Sequence, residues 1–575
     1  MMTQSFTDTS SVLGIEIGAQ NTRAVLFDVV EGGYHLLASG VVPSTQKAPF
    51  GDIGEGILNA ISQLQQVTGR TLMDRELNLI IPTQPGGEGV DRLFLTISGG
   101  PEINLATFGL LNEVSLDSVN RLAQATYGVL KDSFGINDRR SIQDQMAALL
   151  AARPDIILFG GGTNRGASRS IMRIAQMLAL VLSTLPMESR PEILFCGNRS
   201  VSKTVVEILE RQAKITVTEN IRPTLEKEEL RKAGDDLGKL VMANWAKRIE
   251  GLSRISPLCT LPPSPASLNY QKMMRFLGKL YDPSKAVLGI DLGSNNCTFA
   301  TATAGQCHFE VLPVGIGDGL ERFLNRVKIA DISKWLTESI PEEEVKEYLW
   351  QKTLSPGSIP ADGKGVVIEL AAARAILEYG MRDLRRQSML AAPTFEPIFA
   401  GGTTITHAPT PQQILLTLLD GIQPTGISPL IIDKHGLMSI LGAIAHHNPL
   451  LPVQVMESSA FTNLATVINV ESKVSAGTTV ANARLVYHSG NYMDLEVKQG
   501  AIGTLPLATG EVGTLTLNLA RRTSVEGLLA PDEPFKVHGG ICGVVIDARG
   551  RPLPFVKDVN ARNENYKRWM FMLGA

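Results

Sequence analysis

The chain has 575 residues, room for two to four domains, and its 44% hydrophobic and 19% charged residues are the balance of an ordinary globular protein. A formal net charge of -3 gives no reason to expect a nucleic acid or an anionic membrane as partner. No apolar run is long enough for a transmembrane helix, the polar start at 1–11 does not resemble a secretory leader, and five scattered cysteines without a C-x-x-C pair argue against disulfides and structural zinc and for a reducing cytoplasm.

The first pattern, at 11–40, reads SVLGIEIGAQNTRAVLFDVVEGGYHLLASG. An apolar strand carries Glu16 near its end and runs into a small-polar turn. A strand over 23–29, a Gly32-Gly33 turn and a third strand complete an antiparallel meander. Helical periodicity follows over 54–66. At 155–159, DIILF is a buried strand leading through Gly160, Gly161 and Gly162 into a helix that reaches Leu182. A strand over 192–196, ending at Gly197-Asn198, and a helix to Gln212 complete a parallel α/β unit, expected as an insertion at about 150–225. The charged run 226–239 is expected as the solvated face of a helix. The prolines of SPLCTLPPSPA at 256–266 deny helix and central strand alike and mark a linker at 256–267.

At 285–313, KAVLGIDLGSNNCTFATATAGQCHFEVLP repeats the opening plan, with Asp291 in the place of Glu16. Helices are predicted over 319–327 and 366–386. A strand from Glu396 ends in Gly401-Gly402 and precedes a helix over 410–420 and the small-residue helix SILGAIA at 439–445. Beyond about 463 the chain turns to short Val-, Thr- and Gly-rich runs, predicting a β-rich C-terminal domain closed by a helix over 560–572. The predicted division is thus a first lobe at 1–255, the linker, a second lobe at 268–462 and the β-rich domain at 463–575.

A strand–turn–strand with an acid and small turn residues has a definite chemistry. Gly and Ser let backbone N–H groups approach a phosphate, and the acid can hold the hydrated magnesium that accompanies a nucleotide. One such hairpin is an ordinary turn, whereas two in corresponding positions would clamp phosphates from two sides. The phosphate-lining residues are then Gly18, Ala19, Gln20, Asn21 and Thr22 in the first copy and Gly293, Ser294, Asn295 and Asn296 in the second. Glu16 and Asp291 would face magnesium through water, and Gly401 and Gly402 would let a flat nucleoside pack on bare backbone.

This order of hairpin, hairpin, Gly-Gly strand and small-residue helix resembles the superfamily of actin, sugar kinases and heat-shock chaperone ATPases. It is similar, more narrowly, to the glutamate mutase L family, the accessory proteins of adenosylcobalamin-dependent glutamate mutase. That likeness rests on PDIILFGGGTNRGA at 154–167, FCGNRSV at 195–201, TENIRPT at 218–224, IIDKHGL at 431–437 and ILGAIA at 440–445. It implies an α/β fold of two actin-like (ribonuclease H-like) lobes with the inserted α/β unit in the first, ATP or ADP with Mg2+ in the interlobe cleft, and a role as accessory or reactivating partner of a cobalamin-dependent mutase. The expected chain is at most a slow ATPase and binds no cobalamin itself. The copies depart from the superfamily pattern at Glu16 (usually Asp), at Ala19-Gln20-Asn21, at Ser294 and at Thr298, where relatives carry Asp. Rival expectations are a non-hydrolysing scaffold or filament protein and, without a kinase motif to support it, a small-molecule kinase of the same fold.

Three other motifs are weaker. The turn at 161–168 has Ala167 where a P-loop places lysine. The Asp433-Lys-His435 sequence lacks the glycine of the corrin-binding pattern, Met438 standing there, and is expected as a surface turn. Adjacent helical residues such as His446 and His447 point about 100° apart and do not share a metal ion.

Overall fold

A computed structural model describes residues 10–387, 394–528, 530 and 532–574; the polar start at 1–9 lies outside them. The chain forms two compact units. One comprises the residues up to Gly32, Leu36–Tyr270 and Gly442–His447; the other comprises Gly33–His35, Gln271–Leu441 and the residues from Asn448 on.

The opening meander is β1 (Val12–Ile17), β2 (Asn21–Val30) and β3 (Gly33–Pro43), followed by β4 (Arg92–Ile97). Between them the helix Ile53–Thr68 buries Ile53, Ile57, Ala60, Ile61 and Leu64 on one face. Asp52 caps its first turn by accepting from Gly54 N–H at 2.8 Å, and Gly69, at φ 71°, stops it.

Next come β5 (Asn104–Phe108), β6 (Val129–Phe134), β7 (Ile156–Phe159), β8 (Glu192–Phe195) and β9 (Ile215–Val217), a wholly parallel sheet in the order β6-β5-β7-β8-β9. This is the expected inserted α/β unit, but its first two strands lie upstream of 150, in short runs too polar to stand out. The proline-rich stretch contains β10 (Ser264–Pro265), which pairs in parallel with Thr96 and Ile97. The charged run differs from expectation. Its helix begins only at Arg231, and the preceding Glu228 takes an ion pair from Arg121 at 2.6 Å instead of lying on a solvated helical face.

The second unit opens with β11 (Ala286–Leu292), β12 (Cys297–Thr303) and β13 (Gln306–Leu312) and continues with β14 (Phe395–Gly401), β15 (Gly426–Ile432) and β16 (Thr462–Asn469). There follow β17 (Glu471–Ser472), β18 (Thr479–Val486), β19 (Tyr492–Lys498), β20 (Ile502–Leu505), β21 (Val512–Leu519), β22 (Thr523–Ser524), β23 (Phe535–His538) and β24 (Val544–Asp547). The eight-stranded sheet runs β13-β12-β11-β14-β15-β16-β24-β20, so the C-terminal β-rich region adds strands to it. That region also forms the four-stranded sheet β19-β18-β21-β23 and the pair β17-β22.

The first unit's sheet runs β10-β4-β1-β2-β3, and the first five strands of the larger one run in the matching order. In both, the first strand is antiparallel to the second and parallel to the fourth. Two copies of this order, each led by a meander, are the doubled sheet of an actin-like ATPase fold. Cys196, Cys297 and Cys542 are buried and all five thiols are free. No helix of the described residues is long and apolar enough to cross a membrane.

Candidate functional site

In the first unit Glu16 stands directly opposite Arg23 in the β1–β2 hairpin. Its Oε2 accepts from Arg23 Nη1 at 3.3 Å and its Oε1 from Ser98 Oγ at 3.0 Å. A carboxylate held by a guanidinium is a poor seat for a second cation, because the two positive charges repel. The turn closes when Gly18 N–H donates to the Asn21 carbonyl at 2.9 Å, and Gln46 Nε2 donates to the Gly18 carbonyl at 3.2 Å. It lies on bare backbone after β4, since a Cβ on Gly99 would come within 2.2 Å of Ala19 N. This Gly99-Gly100 pair was not among the sequence-predicted residues, although the doublet after a strand was its signal. Gly18, Ala19, Gln20 and Asn21 all keep some exposure. Thr22 does not: its hydroxyl is packed against Gly56, fully buried and without a hydrogen-bond partner. The Thr22 side chain therefore faces the interior and not a ligand.

In the second unit Asp291 has the same place on β11, but its cross-strand neighbour is Thr298, and Gly401 of β14 lies alongside. A Cβ on Gly401 would sit 3.3 Å from Asp291 Oδ1 and 3.8 Å from the Asp433 Cβ. Gly402 has φ 98°, and its Cβ would fall 2.1 Å from the Leu292 carbonyl oxygen, so only glycine fits. Gly293 N–H donates to the Asn296 carbonyl at 2.9 Å, reproducing the turn at Gly18. Gly293, Ser294 and Asn295 are partly exposed and Asn296 is buried. The structure thus assembles Asp291, the 293–296 turn, Gly401 and Gly402 in one place.

A further segment, Gly315-Ile-Gly317-Asp318-Gly319, braces this turn. Added Cβ atoms on the three glycines would lie 2.4 Å from the Gly293 oxygen, 2.1 Å from Ser294 Oγ and 2.2 Å from the Asn295 oxygen. Gly319 N–H donates to the Ser294 carbonyl at 2.9 Å, and Arg322 Nη2 donates to the Asn295 carbonyl at 3.3 Å and to its side-chain oxygen. Sequence patterning did not single this segment out, although glycines at alternate positions were a signal of close backbone approach.

Asp433 proves not to be a surface turn. It is buried, and its carboxylate accepts the N–H groups of Leu437 and Met438 at 2.8 and 3.0 Å, capping the small-residue helix. The Gly-rich turn at 160–166 is tied down by two asparagines from outside it: Asn220 Nδ2 donates to the Gly162 carbonyl at 3.0 Å and Asn198 Nδ2 to the Gly166 carbonyl at 3.3 Å. Burial, with Asp291 and Glu310 nearby, raises the Cys297 thiol well above its ordinary range, so it is an inert neighbour of the site.

The donor set in the second unit is oxygen only, which suits a hard cation such as Mg2+. Among the described residues no group of three or more His, Cys, Asp or Glu is placed to hold a metal by itself. A cation here would complete its shell with water and ligand oxygens.

A family model described as "MutL protein" matches residues 12–460. No curated protein matches the chain. Among solved structures it is similar to a nucleotide-free acetone carboxylase, at 13% identity over 88% of this chain and 82% of that one, with a TM-score of 0.31. A glycerol dehydratase reactivase aligns at 13% identity over 76% of this chain and 100% of its own, with a TM-score of 0.31. Component A of the Acidaminococcus fermentans (R)-2-hydroxyglutaryl-CoA dehydratase aligns at 10% identity over 76% and 97%, with a TM-score of 0.26. Scores of this size are too low for a function to be carried across.

Proposed function

Because the chain belongs to the MutL (glutamate mutase L) protein family, we propose that it is a nucleotide-binding accessory protein of a cobalamin-dependent mutase and not the mutase itself. The observation that carries the nucleotide part is the repeated turn. Gly18 and Gly293 each donate across an equivalent hairpin to Asn21 and Asn296, after strands bearing Glu16 and Asp291. With the Gly18 and Gly293 N–H groups spent in closing the turns, Ala19 to Asn21 and Ser294 to Asn295 would offer N–H groups to phosphates, Gly401 and Gly402 bare backbone to the nucleoside, and Asp291 would hold magnesium through water. Bound Mg2+ would neutralise phosphate charge. Nucleotide state would then set the grip on the partner.

Hydrolysis is proposed to be slow, because Thr298 stands where an acid would orient the attacking water. The ion pair of Arg23 on Glu16 favours a second reading, a scaffold that binds nucleotide without hydrolysing it.

Calorimetric titration of the full chain with ATP or ADP, with and without magnesium, tests binding. At a hundred times the dissociation constant the ligand should add about 2.7 kcal/mol of stability. Neither heat nor a thermal shift at millimolar nucleotide would overturn the nucleotide part. Gel filtration with mutase subunits tests the partner, which is expected to co-elute in a nucleotide-dependent way. A corrin absorption spectrum retained by the chain alone would contradict the accessory role.

A further inference from the structure

The 293–296 turn is gripped from outside through a side chain as well as through its backbone. Arg322, partly buried on the short helix Leu320–Leu324, donates from Nε to the Pro313 carbonyl at 2.7 Å. Its Nη2 donates to the Asn295 carbonyl at 3.3 Å and to Asn295 Oδ1. One guanidinium thus pins the chain leaving β13 to the turn, and holds Asn295 twice.

The second of these bonds fixes which way the Asn295 amide faces. A guanidinium has five donors and no acceptor, so it takes the amide oxygen and leaves Nδ2 on the far side. Among the described residues Nδ2 has no hydrogen-bond partner, and neither has the Asn295 N–H. Asn295 is partly exposed, whereas Asn296 beside it is buried. Asn295 is therefore held through its oxygens and left open at its nitrogens. Donors without acceptors are the polarity that suits a phosphate oxygen.

We propose that the Asn295 side chain donates from Nδ2 to a phosphate oxygen of the nucleotide, and that Arg322 is the positioning residue that turns the amide to do so. The inference rests on the nucleotide reading above. An asparagine that only anchored Arg322 could be replaced, without loss of binding, by any group that accepts from a guanidinium. An asparagine that also donates could not. Aspartate separates the two roles, because its carboxylate accepts from Arg322 as a charge-assisted pair and has no N–H to give a phosphate.

The test is calorimetric titration of the full chain with ATP in excess Mg2+, alongside thermal melts. Asn295→Asp is expected to melt no lower than the wild type and yet to bind ATP about tenfold or more weakly. Asn295→Leu, which removes the donor without adding charge, is expected to weaken ATP binding as well. Should it fail to fold, as judged by circular dichroism, Asn295→Ser takes its place as the neutral variant. Arg322→Lys keeps the charge but lacks the fork that spans Pro313 and Asn295. It is expected to weaken ATP binding in the wild-type chain and to add no more than about twofold in the neutral variant. ATP affinity retained in Asn295→Asp or in the neutral variant overturns the donor role of Asn295. A melt lowered by Asn295→Asp, or equal losses from Arg322→Lys in both chains, overturns the role of Arg322. Each of these leaves the nucleotide reading intact, whereas a wild type that binds no ATP overturns both.

Discussion

Arg549, almost fully buried, reaches two carboxylates: Nη1 lies 2.7 Å from Asp420 and Nη2 2.9 Å from Asp547. Arg374 adds a bond to Asp420 at 2.9 Å and Arg551 one to Asp547 at 2.8 Å. Burial alone raises the Asp547 carboxyl, but Arg549 and Arg551 outweigh it and hold it well below the usual carboxylate range. Its folded pKa is below its unfolded one, so its stabilisation is full above about pH 4 and drains away as the pH falls further. Asp547→Asn leaves buried arginines undercompensated and should cost about 3–5 kcal/mol at neutral pH. It should also flatten the acid side of the stability curve, which urea unfolding between pH 7 and pH 3 measures; an unchanged acid slope would refute the assignment. A second residue-scale prediction concerns Gly402. Gly402→Ala forces a side chain into a left-handed backbone and against the Leu292 carbonyl, so it should cost more than about 1 kcal/mol in a thermal melt and weaken nucleotide binding. The Gly401-Gly402 doublet was legible in the sequence because glycine pairs after strands are conspicuous. The arginine network was not, since its bonded partners lie up to 129 positions apart and no local pattern joins them.

At the scale of elements, the C-terminal helix Val559–Met572 shows how the chain's end is held. Tyr566, Trp569, Met570 and Leu573 pack against the core that includes Ile398, Leu430 and Val467. The Trp569 ring lies 4.7 Å from the Arg549 guanidinium carbon, and its Nε1 donates to the Gly500 carbonyl at 3.2 Å. Trp569 is only partly buried, so Trp569→Ala should cost about 2 kcal/mol, short of the ~3–5 kcal/mol of a fully buried tryptophan. Denaturant unfolding of the full chain checks this, and a loss under about 0.5 kcal/mol, the scale of a surface substitution, would mean the helix is not docked as described. This helix, both meanders and the helix Ile53–Thr68 were legible because apolar periodicity and caps act within a few residues. The strands β5 and β6 were not, being short, the first opening on Asn104 and the second interrupted by Lys131 and Asp132. Nor was β10, because a two-residue parallel pairing through a proline leaves no alternation to detect. The change of texture near 463 was visible, but which sheet its strands join was not, since alternation is the same whichever partner a strand takes.

Across the whole molecule the two copies of the hairpin are alike in backbone and unlike in charge. Each closes a turn with the same N–H donation and each has an acid at the penultimate strand position. The first acid is committed to Arg23 and Ser98, while the second has Thr298 across the ladder and a second carboxylate, Asp318, bonded to its turn. The duplication was legible from the repeated meander. Part of the asymmetry was too, since in a hairpin closed at Gly18 and Asn21 the register sets Glu16 against Arg23. Asp318 lies outside the repeat and needed the folded backbone to reveal it. If metal affinity follows charge, the halves should contribute unequally. Glu16→Gln removes a carboxylate already neutralised and should leave the magnesium enhancement of ATP binding within about twofold, at most ~0.4 kcal/mol. Asp291→Asn removes the carboxylate that faces Thr298 across the ladder and lies beside Gly401, and should reduce the enhancement at least tenfold, or ~1.4 kcal/mol. One nucleotide per chain is expected in both titrations, since the acid of the first copy is held by Arg23. Equal losses in the two variants, or two nucleotides per chain, would show that the copies act as equivalents and that the Arg23 pair opens when ligand binds.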